Sequence, residues 1–148
     1  MQTQELTIAS DMANLPQVLE FVRNGCLAAG MSDDAAFACE LATDEACTNV
    51  IEHAYRGRRD GVIRITWQRN DDAFIVRLHD RGKPFDPAKI SKPPLNRKLE
   101  ERTVGGLGLH FMRSVMDEVR FEFDKNTGNT LTMIKRVVRN ADGPASYD

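Results

Sequence analysis

The sequence predicts an α+β fold, a two-layer sandwich in which a mostly antiparallel sheet of four or five strands carries three helices on one face. Three segments repeat apolar residues at helical intervals, and the others alternate apolar with polar residues or are joined by short polar turns. A length of 148 residues suits one domain with one core. We therefore expect residues 1–139 to form a single domain and residues 140–148 to be a flexible tail.

The N-terminal segment predicts a strand followed by a helix. Leu6 and Ile8 alternate with polar neighbours, as in a short first strand. Ser10 or Asp11 then offers an N-cap for a helix whose apolar residues recur at helical spacing until Gly30.

The middle of the chain predicts the longest helix and a hairpin. The helix begins after Ser32 and keeps its apolar period as far as Gly57. Two apolar segments, 62–67 and 74–79, then flank a polar turn at 70–72, which is the pattern of two paired strands.

The last third begins with a long segment that has no periodic pattern. Residues 83–103 hold four prolines and few apolar residues, so we predict a loop of about twenty residues, a length typical of functional lids or disordered segments. A helix over residues 107–116 follows, and two strands, at 119–123 and 131–138, flank a turn at 126–129.

Composition excludes several classes of protein. Twenty Lys and Arg residues against 22 Asp and Glu residues leave a net charge of −2, so no overall positive field favours nucleic acid. The longest apolar run, residues 35–39, is far too short to cross a membrane, and the N-terminal segment lacks the features of a secretory signal. We therefore expect a cytoplasmic protein that binds neither nucleic acid nor membrane directly.

The three cysteines give no sign of a disulfide framework or a zinc site. Cys26, Cys39 and Cys47 are odd in number and show no CxxC spacing. We expect them to be buried free thiols.

Glu45, Asn49 and His53 form a polar column on the second predicted helix. They lie four residues apart, so their side chains stack along one face at roughly 5 to 6 Å spacing. A solvated stripe of an amphipathic helix has the same pattern. The column becomes a functional site if an anion with a metal lies opposite, because hard cations bind carboxylate and amide oxygens.

Asp80, Arg81 and Gly82 stand where a predicted strand ends and the long loop begins. They can be a turn and nothing more. The functional alternative is an acceptor carboxylate at the floor of a pocket, with Gly82 allowing a flat ligand to approach the backbone.

Gly105, Gly106 and Gly108 open the last predicted helix. Free backbone N–H groups at a helix N-terminus form a ready phosphate site. The segment is neither a Walker loop nor a dinucleotide-binding pattern, and glycines for close packing or for a hinge remain an alternative. Residues 81–102 hold seven basic and three acidic residues, an excess of +4 that suits a polyphosphate.

The order of these motifs resembles the GHKL superfamily of ATPases and kinases. Glu-x-x-x-Asn on a helix, Asp-x-Gly after a strand, a lid, Gly-Gly-x-Gly before a helix and Gly128-Asn129-Thr130 before a strand follow one another in that order. Within this superfamily, residues 45–55, 80–87 and 105–108 look like those of the anti-sigma factor serine/threonine kinases of bacterial partner-switching systems. The resemblance covers residues 6–138 and implies the Bergerat, or histidine-kinase-like, ATP-binding fold.

The resemblance implies a role for each matching residue. Glu45 would be the catalytic base for the substrate serine, and Asn49 would hold Mg²⁺ on the phosphates of ATP. Asp80 would accept the adenine amino group, with Gly82 beneath the ring and Thr130 supporting Asp80 or a bridging water. The residues expected near the phosphates are Gly105, Gly106, Leu107 and Gly108, and Arg102 would lie near the phosphates or the partner protein. We interpret His53 as a packing or supporting residue.

The activity implied is that of an ATP-dependent serine/threonine protein kinase and anti-sigma factor. Such a protein phosphorylates an anti-anti-sigma antagonist and sequesters a sigma factor or similar regulator, with ATP and Mg²⁺ as cofactors. The family also implies a homodimer. Two alternatives remain: an ATP-binding module that sequesters partners without phosphoryl transfer, and the detached ATP domain of a two-component kinase, for which the chain is too short to carry a dimerising phosphoacceptor helix pair.

Overall fold

A computed structural model describes residues 2–89, 107–139 and 145–146 of the chain. Its main elements are β1 (Gln2–Ala9), α1 (Leu15–Ala28), α2 (Asp33–Asn49), β2 (Val62–Arg69), β3 (Ala73–Asp80), α3 (Leu107–Val115), β4 (Glu118–Asp124) and β5 (Gly128–Arg136). Short helical turns lie at Met12–Asn14, Val50–Ala54 and Pro87–Lys89. A small pair of strands, β6 (Val138–Arg139) and β7 (Ala145–Ser146), follows the main sheet, so two residues of the predicted tail are paired.

The main sheet has five strands in the order β1-β2-β3-β5-β4, and each neighbouring pair is antiparallel. The three α-helices pack on one face of it. This architecture confirms the fold class that the apolar patterns predict, including the number of strands and helices.

Local sequence signals set where the first two helices begin. The Asp11 side chain accepts a hydrogen bond from Ala13 N at 2.9 Å, and the Ser32 side chain accepts one from Ala35 N at 3.1 Å. Each oxygen satisfies a backbone donor that the first helical turn leaves unpaired. Gly30 has a φ of 82°, a left-handed conformation that allows the chain to turn between the two helices.

The core lies between the helices and the inner face of the sheet. Its largest fully buried side chains come from strands β2, β3 and β5 and from helix α3. They are Phe74, Ile63, Ile65, Leu78, Met112 and Met133. All three cysteines are buried free thiols, as the sequence predicts. Desolvation raises the pKa of Cys47 to about 12, so this thiol stays protonated and inert at neutral pH.

The second helix ends differently from the sequence prediction. Instead of one regular helix as far as Gly57, α2 stops at Asn49 and a wider π-helical turn runs over Val50–Ala54. Tyr55 N donates to Val50 O at 3.0 Å, five residues back. Turns of this kind are common at functional sites because they re-aim the side chains around them.

No helix within the described residues is both long enough and apolar enough to cross a membrane.

Gly25 in α1 allows this helix to pack closely on the sheet. An added Cβ there would stand 2.4 Å from Nε1 of Trp67, whose ring stacks on Phe74 with centroids 5.5 Å apart. The helix can therefore lie flat on the sheet only without a side chain at this point.

We expect Gly25→Ala to lower the free energy of unfolding by about 1–3 kcal/mol, the usual cost of overpacking a core. Urea denaturation measures it. In a Trp67→Val background the same substitution should be neutral or stabilising, because alanine favours a helix over glycine by about 1 kcal/mol. Equal destabilisation in both backgrounds would show that the Trp67 contact does not explain the glycine.

Candidate functional site

A narrow pocket with about 20 Å³ of free space opens between α2, α3 and the ends of the central strands. The wall is mostly apolar and aromatic, with a few polar groups, and consists of Ala46, Asn49, Val50, Asp80, Phe85, Met112, Phe121, Phe123, Asn129, Thr130 and Leu131. Two of the predicted site motifs, on α2 and at the end of β3, therefore meet in one place.

Asn49 is the last residue of α2 and faces this pocket. Its side chain is buried and forms no hydrogen bond with another described residue. In the described part of the chain, every fully buried polar side-chain atom has a partner. The Asn49 amide therefore reaches the pocket surface, which is not the arrangement of a solvated stripe.

Glu45 lies one turn before Asn49 and contacts the start of α3. An added Cβ on Gly108 would stand 2.5 Å from Oε2 of Glu45 and 2.9 Å from its Cδ. Because Gly108 has no side chain, the Glu45 carboxylate can lie against the N-terminus of α3. The structure brings the first and third sequence motifs into direct contact.

Asp80 forms the polar floor of the pocket. Only 4% of it is exposed, and its Oδ1 accepts hydrogen bonds from Gly82 N and from Asn129 Nδ2, both at 2.8 Å. Burial raises the pKa of the Asp80 carboxyl above its ordinary value, while these two hydrogen bonds and the charge of His79 act in the opposite direction. The site therefore holds a buried carboxyl group that ionises less readily than an exposed aspartate.

Asn129 is the site residue that sequence reasoning missed. It lies opposite Asp80 in the pairing of β3 with β5, on the inner face of the sheet. Thr130 lies opposite His79 instead and borders the pocket without a hydrogen bond to Asp80 in the described structure. The role of Thr130 toward a bridging water stays a prediction. The Gly-Asn-Thr segment was the available signal, but only the strand register distinguishes the two residues.

Gly82 meets the end of the second helix. An added Cβ would stand 2.6 Å from the backbone oxygen of Ala54, so the glycine permits a close approach between two segments of this chain. Lys83 N also donates to Ala54 O at 2.8 Å. The place of Gly82 beneath an adenine ring stays a prediction, because the contact with Ala54 alone explains why this position is a glycine.

The start of the predicted lid is anchored on the segment that follows α2. The Tyr55 hydroxyl accepts a hydrogen bond from Arg81 N at 2.9 Å and donates to Val62 O at 2.6 Å. The His53 and Phe85 rings lie 5.8 Å apart, as the interpretation of His53 as a packing residue requires. Arg102, Gly105 and Gly106 lie outside the described residues, and Leu107 is described only as the first residue of α3.

The donor set fits a magnesium nucleotide better than a protein-held metal cage. The described residues contain no group of three or more His, Cys, Asp or Glu side chains that could hold a metal. Mg²⁺, however, commonly takes one or two protein oxygens and completes its shell with phosphate oxygens and water. The unpartnered amide of Asn49 at the pocket surface carries an oxygen of this kind, and its role toward a metal stays a prediction.

Comparisons with known proteins agree with this geometry. A family model described as the histidine kinase-like ATPase domain matches residues 8–135. The serine-protein kinase RsbW of Listeria innocua is 31% identical over 141 residues, which cover 86% of this chain and 90% of that protein. RsbW of Bacillus licheniformis is 35% identical over 111 residues, covering 72% of this chain and 68% of that protein.

A solved structure shares the fold. The crystal structure of the RsbU and RsbW domains of Rv1364c from Mycobacterium tuberculosis superposes with a TM-score of 0.67 at 17% identity. The match covers 92% of this chain and 32% of that one, and at this identity it shows the fold alone. The family model and the identity to the two RsbW proteins show that this chain belongs to the RsbW family of serine-protein kinases, built on the histidine kinase-like ATPase domain.

Proposed function

We propose that this chain is an ATP-dependent serine/threonine kinase that phosphorylates an anti-anti-sigma protein and, when free of that antagonist, sequesters a sigma factor. The observation that carries the proposal is the meeting of Asn49 and Asp80 in one pocket, with Glu45 one helical turn from Asn49. Membership of the RsbW family supports the kinase activity. The anti-sigma role rests on the resemblance of the motifs to those of partner-switching kinases.

The residues that line the pocket suit an adenine base in their chemistry. Phe85, Phe121 and Phe123 contribute aromatic surface to its wall, and Met112 adds a flexible apolar side chain. Flat heteroaromatic rings are held well by such walls, while a small number of polar groups sets their orientation. In this proposal Asp80 accepts a hydrogen bond from the exocyclic amino group.

Asn49 and the glycines before α3 would hold the phosphates. The Asn49 amide oxygen would bind Mg²⁺, which neutralises charge on the phosphates when bound. Gly105, Gly106 and Gly108 would offer backbone N–H groups at the positive end of α3, and Leu107 belongs to the same turn. Arg102 would add a cation from the lid, as phosphoryl transfer requires mainly positioning and charge stabilisation.

Glu45 is the residue we assign to proton transfer. The substrate serine oxygen attacks the γ-phosphorus, the bond to the β,γ-bridging oxygen breaks, and the serine proton passes to the Glu45 carboxylate, leaving ADP and phosphoserine. The close approach of Glu45 to Gly108 supports this assignment, because Gly108 belongs to the proposed phosphate cradle. The proximity of base and phosphate is what a positioned general base needs.

The homodimer that the family resemblance implies is part of the same proposal. The described chain is a single protomer, so gel filtration with light scattering is the appropriate measurement. A sigma factor bound in the absence of the antagonist and released when the antagonist is added would support the sequestering role.

We expect Glu45→Gln to lower the rate of phosphoryl transfer by about 10²–10⁴-fold, the usual contribution of a general base. The affinity for ATP should stay close to that of the native protein. Transfer of radiolabelled phosphate from ATP to an anti-anti-sigma domain from the same genome measures the rate, and calorimetry measures ATP affinity. Glu52→Gln is the matched control, because this exposed glutamate lies seven residues further along the same helical segment. Unchanged transfer in Glu45→Gln would contradict its assignment, and absence of transfer by the unaltered protein, with ATP bound, would favour a sequestering module.

We expect Asp80→Asn to weaken ATP binding and to leave the nucleotide-free fold at least as stable at neutral pH. Because burial raises the pKa of Asp80 in the folded state, the native protein gains stability relative to the variant as pH falls through that folded-state pKa. The gain is complete below the ordinary value of 3.8, where both states are protonated.

Urea denaturation of both proteins from neutral pH down to about pH 4 measures this difference. Asp72→Asn, at the exposed turn beyond the other end of β3, controls for the loss of one surface charge. A difference in unfolding free energy between the native protein and Asp80→Asn that is independent of pH would show that Asp80 ionises normally.

A further inference from the structure

Asn129 holds Asp80 from the opposite strand. It is 5% exposed, and its Nδ2 donates to Asp80 Oδ1 at 2.8 Å and to the backbone oxygen of Gly82 at 3.0 Å. Both partners are acceptors, so the amide has one orientation that satisfies them. Asn129 thus joins the carboxylate and the residue two positions after it into one cluster.

This cluster leaves one carboxylate oxygen available. Gly82 N and Asn129 Nδ2 both bind Oδ1, so in the described structure Oδ2 of Asp80 accepts no hydrogen bond. No fully buried polar side-chain atom among the described residues lacks a partner. Oδ2 must therefore keep contact with the pocket, which Asp80 lines as its only acidic residue of those described.

The approach of the β4–β5 turn secures this geometry. Gly128 has a φ of 103°, and an added Cβ would stand 2.5 Å from the backbone oxygen of Asp80. The turn can therefore lie directly over the end of β3. Asn129 follows at once, at the last pair of the β3–β5 register.

We propose that Asn129 is a positioning residue for base recognition, which fixes Asp80 through Oδ1 and so presents Oδ2 to the exocyclic amino group of a 6-aminopurine nucleotide. This inference deepens the proposed ATP site and rests on it. Asn129 then determines how strongly the pocket distinguishes a purine that carries the amino group from one that lacks it. A residue that only ends a strand would not affect this selectivity.

The test compares ATP with purine riboside triphosphate, which lacks the 6-amino group. Calorimetry of the full chain should show that the native protein prefers ATP by roughly tenfold or more, the worth of a hydrogen bond to a charged group. In Asn129→Ala, ATP affinity should fall by about tenfold while affinity for the analogue changes little, so the preference collapses. Asn126→Ala, an exposed change in the same turn, should retain the native preference.

Two results would overturn the inference. Equal losses for both nucleotides in Asn129→Ala would show a purely structural role, and an undiminished preference would show that Asp80 needs no support from Asn129. A native protein that binds ATP without preference over the analogue would contradict base recognition through Asp80 and leave the kinase proposal standing. Binding of neither nucleotide would overturn both proposals.

A measurement on the unaltered protein avoids any folding defect of the variant. In nitrogen-resolved NMR spectra, the side-chain NH₂ signal of Asn129 should move when ATP is added and move much less with purine riboside triphosphate. It should also follow the ionisation of Asp80 as pH is lowered, because the two groups share a hydrogen bond. Equal responses to both nucleotides would contradict the proposed coupling.

Discussion

The pairing of Asp80 with Asn129 is the constraint on which the pocket depends. A carboxylate this deeply buried is costly unless it accepts hydrogen bonds, and in the described structure its two donors are Gly82 N and Asn129 Nδ2 on the neighbouring strand. The antiparallel register of the central strands supplies that neighbour. The sheet therefore does more than form a core, because its register decides which side chain supports the pocket floor.

Close approach between segments determines the rest of the site. Gly108 allows α3 to begin against Glu45, and Gly82 allows the chain after β3 to lie on the end of the second helical segment. The π-helical turn after Asn49 contains Ala54, whose backbone oxygen accepts a hydrogen bond from Lys83 N. A side chain at Gly108 would push α3 away from Glu45, and one at Gly82 would push the chain after β3 away from Ala54, so the proposed site depends on the absence of two Cβ atoms.

Sequence reasoning reached the fold because apolar periods and caps are local signals, whereas the expectation that the motifs converge came from the resemblance to a known family. The helical spacing of apolar residues predicts α2, and the alternation on either side of a polar turn predicts the hairpin of β2 with β3. It did not find Asn129, because its partner lies 49 residues away and only the register of two strands places it opposite Asp80 rather than Thr130. The π-helical turn was missed for a similar reason, since nothing in the apolar pattern of residues 50–54 departs from a regular helix.

The central claim is that segments distant in sequence surround one bound ATP on the helix-covered side of the sheet. Titration of isotope-labelled protein with Mg-ATP, followed by backbone amide chemical shifts, tests it most directly. The account predicts saturable shifts concentrated at the pocket, at Asn49, Asp80 and Gly108, with little change at Arg64 and Arg77 on the open face. Shifts confined to that open face, or none at saturating nucleotide, would contradict it.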